Sequence, residues 1–425
     1  MSLIKDVRSI GIYGGGVFFG VTSISQPFFS LYAEQLGAPT ALIGLMVTLR
    51  ALVPLIIAMP IGQLIDSVGA LTMAKNGALT MIISLALVAF SQNLWVLGLS
   101  QIITGASIIM IASSLQVLAS EGKLDKEVRN QNINRYSMWS SFGSMVGPLS
   151  GGALIGIVGS TAHGYRIAFL FSLLICMAAY AAVVRFTRGL KPEHSSLDRE
   201  EIASPLEPFR LKQLLGSYLS GADLAGRRGV QFGLIGTFLI MFIQAVYMSF
   251  IPLFLNNQGY SAMQISLVVS LSGFAGLSSR FLLKRLMKRL TLEPLLIGAG
   301  VVASLCLTFV PLASFTFIGM ALLTLLMGAA VGVNLPVSMM IMVDDTRDTE
   351  RGKVMGLRLL ANRFSQLMSP ALFGILGQSF GLTLGFYTGG GFLLATMLGF
   401  AAYHSHRKPS DSVVTGMAHQ KKTIS

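Results

Sequence analysis

Charge is what this chain has least of: 12% of its 425 residues are Asp, Glu, Lys or Arg, against about 25% in an average soluble protein. Acid is the scarcer sign, with 18 acidic residues against 31 basic ones, and each carboxylate falls in a polar gap or near the end of an apolar run. That leaves no acid–base pair in an apolar interior, and no nucleophile or metal cluster is placed by a motif either, so the residues give no basis for an enzyme. The two cysteines, Cys176 and Cys306, each sit inside a long apolar run, which suits buried packing and excludes a disulfide framework or a zinc site. His404 and His406 stand in a polar tail without further ligands, as solvated residues do. The sequence therefore implies no metal and no cofactor.

What fills the chain instead is apolar. Hydrophobic residues make up 53% and the mean hydropathy is +0.70, which describes an all-α integral membrane protein. The formal net charge of +13 raises nucleic acid as a partner, but the basic residues lie in the gaps between apolar runs and read as a topology signal. A helix needs about 20 apolar residues to cross a bilayer. Twelve runs meet that need, at 9–33, 41–64, 72–92, 94–118, 134–158, 165–186, 230–254, 262–282, 293–313, 315–342, 354–378 and 381–403. The first continues past signal-peptide length without a cleavage site and is expected to be retained.

Lys and Arg crowd alternate connections. Lys75, the group Lys123, Lys126, Arg129 and Arg135, the eight between Arg185 and Arg228, the run Lys284 to Arg289, and Arg347, Arg351 and Lys353 all fall on one side with both termini, whereas the opposite connections offer Arg166 alone. This asymmetry predicts cytoplasmic N- and C-termini. The chain divides into a six-helix half at 1–186, a polar middle loop at 187–229, a second six-helix half at 230–403 and a tail at 404–425. In the middle loop, Phe209, Leu211, Leu214, Leu215, Tyr218 and Leu219 recur at helical spacing, as in a short helix on the cytoplasmic leaflet or a partly helical tether. An offset of 222 residues pairs Gly11 with Gly233, Gly14 with Gly236 and Phe28 with Phe250, and later Pro148 with Pro370, Gly152 with Gly374 and Tyr165 with Tyr387. The halves are thus expected to be parallel repeats with a site between them near the midplane.

Within the fifth run, residues 143–152 read G-x-x-x-G-P-x-x-G-G, with Gly143, Gly147, Pro148, Gly151 and Gly152. In a soluble helix Gly costs about 1 kcal/mol and Pro about 3 relative to Ala, but both are tolerated in lipid, and glycines four apart let another helix approach closely. This decapeptide resembles the helix 5 antiporter motif of exporters in the major facilitator superfamily. Residues 62–69, with Gly62, Asp66 and Gly69, resemble that superfamily's G-x-L-x-D-x-x-G signature after helix 2. The resemblance covers essentially the whole chain and implies alternating access by two rocking halves. In the family the signature Asp meets the start of helix 11 when the protein faces outward, and here Arg358 or Lys353 would add positive charge to that contact. The chain departs from the pattern at Ser67, Ala70 and Leu71, where basic residues are usual. It departs again at Gln101, four residues before Gly105, where the family places an Arg linked to proton coupling.

Two arginines sit deep by sequence. Arg50 and Arg363 are each about ten residues inside a run, near the middle of a ~30 Å core at 1.5 Å per residue, and the fold would make their helices neighbours. An intramembrane charge costs at least about 2.5 kcal/mol. Either a bound organic anion neutralises the two guanidiniums in one cavity, or each is structural, bonded to backbone carbonyls or to Asp344. Gln26, Gln244, Tyr247, Asn334, Asn362 and Gln366 are polar residues in apolar runs, suited to lining the cavity or to interhelical hydrogen bonds. Phe28 and Trp139 suit an aromatic wall or packing. Glu34, at the outer end of the first run, is the candidate coupling group for a proton or an exposed interface residue. The expected protein is a monomeric secondary transporter in a multi-pass setting in a cell membrane, the bacterial inner membrane by resemblance. It would export a small amphipathic or anionic organic molecule from the cytoplasm and bind no nucleic acid. The alternatives are uptake of an organic anion, or a membrane sensor that does not transport.

Overall fold

A backbone in lipid must satisfy its own hydrogen bonds, and a helix does so within one segment. The computed structural model describes residues 7–57, 61–120, 126–188, 222–347 and 350–406, and they are nearly all helical. The first group comprises α1 (Val7–Gln35), α2 (Thr40–Ile57), α3 (Ile61–Val68), α4 (Ala70–Phe90), α5 (Leu94–Ala119), α6 (Lys126–Val158) and α7 (Ala162–Thr187). After a 3-10 turn at Ala222–Gly226 come α8 (Arg228–Asn257), α9 (Ala262–Leu286), α10 (Leu292–Thr308), α11 (Val310–Ala313), α12 (Phe317–Asp344) and α13 (Arg351–His406). The proposed middle-loop helix and the tail beyond His406 lie outside the described residues.

Among the described residues ten helices are long and apolar enough to cross a membrane, where the sequence suggests twelve separate runs. The differences have local causes. The ninth run splits into α10 and α11 before Pro311, which brings no N–H to the helix it opens. The last two runs are joined in the 56-residue α13, interrupted at Gly381 with φ 78° and ψ 154°, a left-handed φ that glycine adopts freely. The second run is described as α2 up to Ile57 and, beyond residues 58–60, which lie outside the described residues, as α3, the helix that carries Asp66. α6 starts at Lys126, a polar extension beyond the apolar stretch.

By packing, α1 to α7 form one bundle and α8 to α13 another, joined by α2 against α13, α6 against α9 and α1 against α8. Glycine sets the closest approaches. Along α6, Gly143, Gly147 and Gly151 recur every four residues and face α1: a Cβ on Gly143 would strike the Gly16 carbonyl, one on Gly147 would lie 2.5 Å from the Gly20 carbonyl, and one on Gly151 would lie 2.8 Å from the Phe28 ring. Gly152 faces the other bundle, where a Cβ would strike Ser266 of α9. The decapeptide thus serves two partners, with three glycines inside its own half and one on the seam between halves.

Both seams are tight at one end and open at the other. On α6, Gly152, Met145 and Met138 share a face at seven-residue spacing. Gly152 is in contact with α9, the Met145 Cα stands 3.9 Å from where Gly273 would place a Cβ, and Met138 is 53% exposed. On α13, the Pro370 carbonyl and Gly374 press against Gly44 of α2, while Leu359, eleven residues earlier on the same face, is 41% exposed. Ser30 Oγ donates to the Ser249 carbonyl at 2.9 Å, closing α1 on α8. The halves therefore meet at the end opposite the basic connections and part toward the basic end.

Candidate functional site

The deep arginines occupy two different places. Arg50 lies six residues after Gly44, a rotation of about 240° at 3.6 residues per turn, so it turns away from α13. There α2 rests on α5: a Cβ on Gly105 would strike the Arg50 carbonyl and lie 3.1 Å from Pro54 Cδ. Its side chain lines a crevice inside the first bundle with Thr22, Ser25, Gln26, Phe29, Gln101 and Thr104, among others. The crevice offers about 20 Å³ for solvent, the room of a water molecule. No carboxylate lines it, and Arg50 makes no hydrogen bond or ion pair among the described residues.

Arg363 lies seven residues before Pro370, so it shares the α2-facing side of α13, at the level where the seam begins to part. Its Nη1 donates to Gln366 Oε1 at 3.1 Å, and Gln366 Nε2 reaches Met241 Sδ at 4.0 Å. The expectation that both arginines face one cavity is not met in this conformation. The cause is helical phase: equal depth places two residues at one level and does not point them at each other.

A second polar group lies along another face of α13, where Arg358, Asn362, Ser365 and Ser369 recur at helical spacing. Arg358 Nη2 donates to the Leu335 carbonyl of α12 at 2.8 Å, and Ser365 Oγ to the Phe238 carbonyl of α8 at 2.8 Å. Arg358 Nε, Asn362 Oδ1, Ser369 Oγ, Thr237 Oγ1 and both amide atoms of Asn334 are buried without a hydrogen-bond partner among the described residues. Asn334 is fully buried and so is Tyr247, whose hydroxyl pairs with that of Thr324, so its polar end faces α12. Gln244 is half-buried on α8.

The contact expected of Asp66 is not made here. Asp66 is exposed on α3 and makes no hydrogen bond or ion pair among the described residues. A Cβ on Gly62 would meet nothing within 4 Å, and Gly69, at φ 91°, forms the left-handed turn from α3 into α4. At the closed end, Glu34 is half-buried on the last turn of α1, with Asn257 of the other bundle and Tyr165 beside its carboxylate. Phe28 is fully buried against Tyr165 at 6.0 Å and packs. Trp139 contacts Tyr13 at 5.2 Å and Phe142 at 5.9 Å. It stands five helical turns from Ile157 on one face of α6, and Ile157 is 84% exposed at the closed end, so this aromatic group belongs to the outer apolar surface. Cys176 and Cys306 are buried and free.

Some residues of these groups carry no sequence signal. Gln101 is notable only as a departure from a motif, and Thr237 and Ser369 look like ordinary small polar residues. Arg227 is another: it makes two bonds to Glu350, at 2.6 and 2.8 Å, and Asp345 Oδ2 accepts from Gly229 N at 2.8 Å at the start of α8. Loop charges give no spacing from which such a clasp could be read.

The sequence matches the Major Facilitator Superfamily pattern over residues 12–325 and 294–424. The chain belongs to that superfamily. Similar curated proteins include the multidrug resistance protein MdtG of Citrobacter koseri, 23% identical with 91% of each chain covered, and that of Salmonella arizonae, 24% identical over 91% of this chain and 92% of the relative. Among solved structures, a variant of the nucleoside transporter NupG superposes with a TM-score of 0.72 at 14% identity, covering 93% of this chain and 99% of that one. A bacterial homologue of the human lysosomal transporter Spinster, inward-facing and unoccupied, gives 0.67 at 14% identity, covering 94% and 95%. The superfamily is one of membrane transporters, and the helices here are long and apolar enough to span.

Proposed function

We propose that the chain is a secondary transporter working by alternating access, and that it exports a small amphipathic or anionic organic molecule from the cytoplasm. In this reading the two arms of α13 and the pair α10–α11 complete twelve spans. The basic end and both termini face the cytoplasm, and the protein works as a monomer in a bacterial inner membrane. The observation that carries it is the graded opening of the seams, from Gly152 and Gly44 in contact to Met138 and Leu359 exposed, which describes halves that part toward the basic end. Arg363, on the parting seam with only Gln366 bonded to it among the described residues, is the cation that would take the substrate's acidic group. Glu34, beside Asn257 of the opposite half, would couple a proton to closure. Export draws support from the filled decapeptide and from relatives named for multidrug resistance.

The test is accumulation of a panel of fluorescent organic anions and cations in cells with and without the chain, with its presence in the membrane verified. Lower accumulation of at least one compound is expected. Equal accumulation across the panel would defeat the transport reading. Higher accumulation would establish the second reading, uptake of an organic anion, which the unneutralised Arg363 favours equally.

A further inference from the structure

The Arg50 crevice is too small for the cargo. At about 20 Å³ it is an order of magnitude below the roughly 300 Å³ at which organic-ligand pockets begin, yet it holds a cation that the protein does not neutralise. Among the described residues no carboxylate lines it. Its polar groups divide by what they already do. Thr22 Oγ1 donates to the Phe19 carbonyl at 3.1 Å, Ser25 Oγ to the Thr22 carbonyl at 3.2 Å and Thr104 Oγ1 to the Ser100 carbonyl at 2.9 Å, so their protons are engaged. What remains is the five-donor fork of Arg50 and the side-chain amides of Gln26, exposed at the mouth, and Gln101, buried behind. Gln101 has only a long 3.5 Å contact from Nε2 to Ser100 Oγ. A set of donors around an unpaired positive charge, in a space for one particle, is the chemistry of an anion site.

We propose that this crevice binds one small inorganic anion of chloride size, held by Arg50 with the amides of Gln26 and Gln101. The anion neutralises Arg50 and braces α1, α2 and α5 against one another, so the first bundle is stable and correctly set only when the site is filled. It is separate from the organic substrate, whose cation is on the seam.

The purified full-length protein tests this by thermal unfolding in sodium chloride against sodium gluconate at constant ionic strength. A saturable rise in Tm of about 2 °C or more is expected with chloride, as for any ligand that binds only the folded state. Bromide should act like chloride, and gluconate, too large for the crevice, should not act. Arg50→Gln should abolish the saturable rise and Arg50→Lys should retain a weaker one. If Arg50→Gln does not purify, Gln101→Leu decides, with at least a fivefold weaker chloride response expected. No difference between chloride and gluconate, or a wild-type chloride response in Arg50→Gln or Gln101→Leu, overturns the proposal. So does an organic substrate that competes with chloride for Arg50. Loss of transport with the chloride response intact would count against the transport reading alone.

Discussion

Arg50 and Arg363 are the same residue type at nearly the same depth, on two helices that pack against each other, and they sit in opposite situations. Arg50 lies half-buried inside one bundle, its backbone pinned by Gly105, and lines a space for one particle. Arg363 lies on the seam itself, bonded to Gln366 where the bundles begin to part. The repeat does not relate them: the 222-residue offset carries Arg50 onto Ser272 and Arg363 onto Ser141. A scaffold can keep a twofold pattern in its glycines and prolines, which packing demands, while each half places its charge independently. In the roles proposed above, the arginine inside the bundle holds it in shape and the arginine on the seam takes the substrate.

The harshest perturbation removes the pin. In Gly105→Val a Cβ must enter the Arg50 carbonyl and approach Pro54. A backbone collision cannot relax by side-chain rotation, and overpacking alone costs about 1–3 kcal/mol. The yield of monodisperse protein by size-exclusion chromatography should collapse, whereas Gly298→Ala, whose Cβ meets nothing within 4 Å, should behave as wild type. A normal yield for Gly105→Val would mean that α2 and α5 are not held as closely as the Arg50 site requires.

Next in size is the split between the arginines themselves. Arg363→Gln should raise KM for an anionic substrate about tenfold, the equivalent of one lost charge-assisted hydrogen bond. Arg50→Gln should instead lower the maximal rate and remove its chloride dependence. Equal KM increases for both would merge the two sites into one and refute the comparison. Smaller again is the gate. Asp66→Asn removes the charge that a helix start would attract when the basic end closes, a contact worth about 0.3–1 kcal/mol. Labelling of a cysteine introduced on the basic-end face of α6 should then rise about two- to fivefold during turnover. Unchanged labelling and unchanged transport would remove Asp66 from the gate.

The fold was largely legible because membrane helices are written in long apolar runs, and the decapeptide's glycines pointed to close packing that Gly143, Gly147 and Gly151 make with α1. Helix breaks were less so: Pro311 and Gly381 divide or join runs through local backbone geometry that hydropathy does not register. The site was legible in depth but not in direction. Counting residues put Arg50 and Arg363 at one level correctly, but orientation depends on which face of each helix its neighbours occupy, and that needs the glycine contacts of the folded chain. Tyr247 shows the same limit. A polar residue in an apolar run reads alike whether it lines a cavity or, as here, pairs with Thr324 in the bundle.

The mildest prediction concerns the clasp at the basic end of the second bundle. Hydrogen bonds from Arg227, with a further one from the Arg347 backbone, hold the Glu350 carboxyl down to about 2, from an ordinary 4.5. The folded state therefore favours the ionised carboxylate. Its contribution is complete above the ordinary value and is lost as pH falls from about 4.5 toward 2. Both partners are partly exposed, so the effect is small and weakens with salt. The Tm of Glu350→Gln should sit slightly below that of wild type by a constant margin from pH 7 to pH 5, and the two should converge as the pH is lowered further. A margin that widened on acidification would mean that the clasp is held by something other than the Glu350 charge.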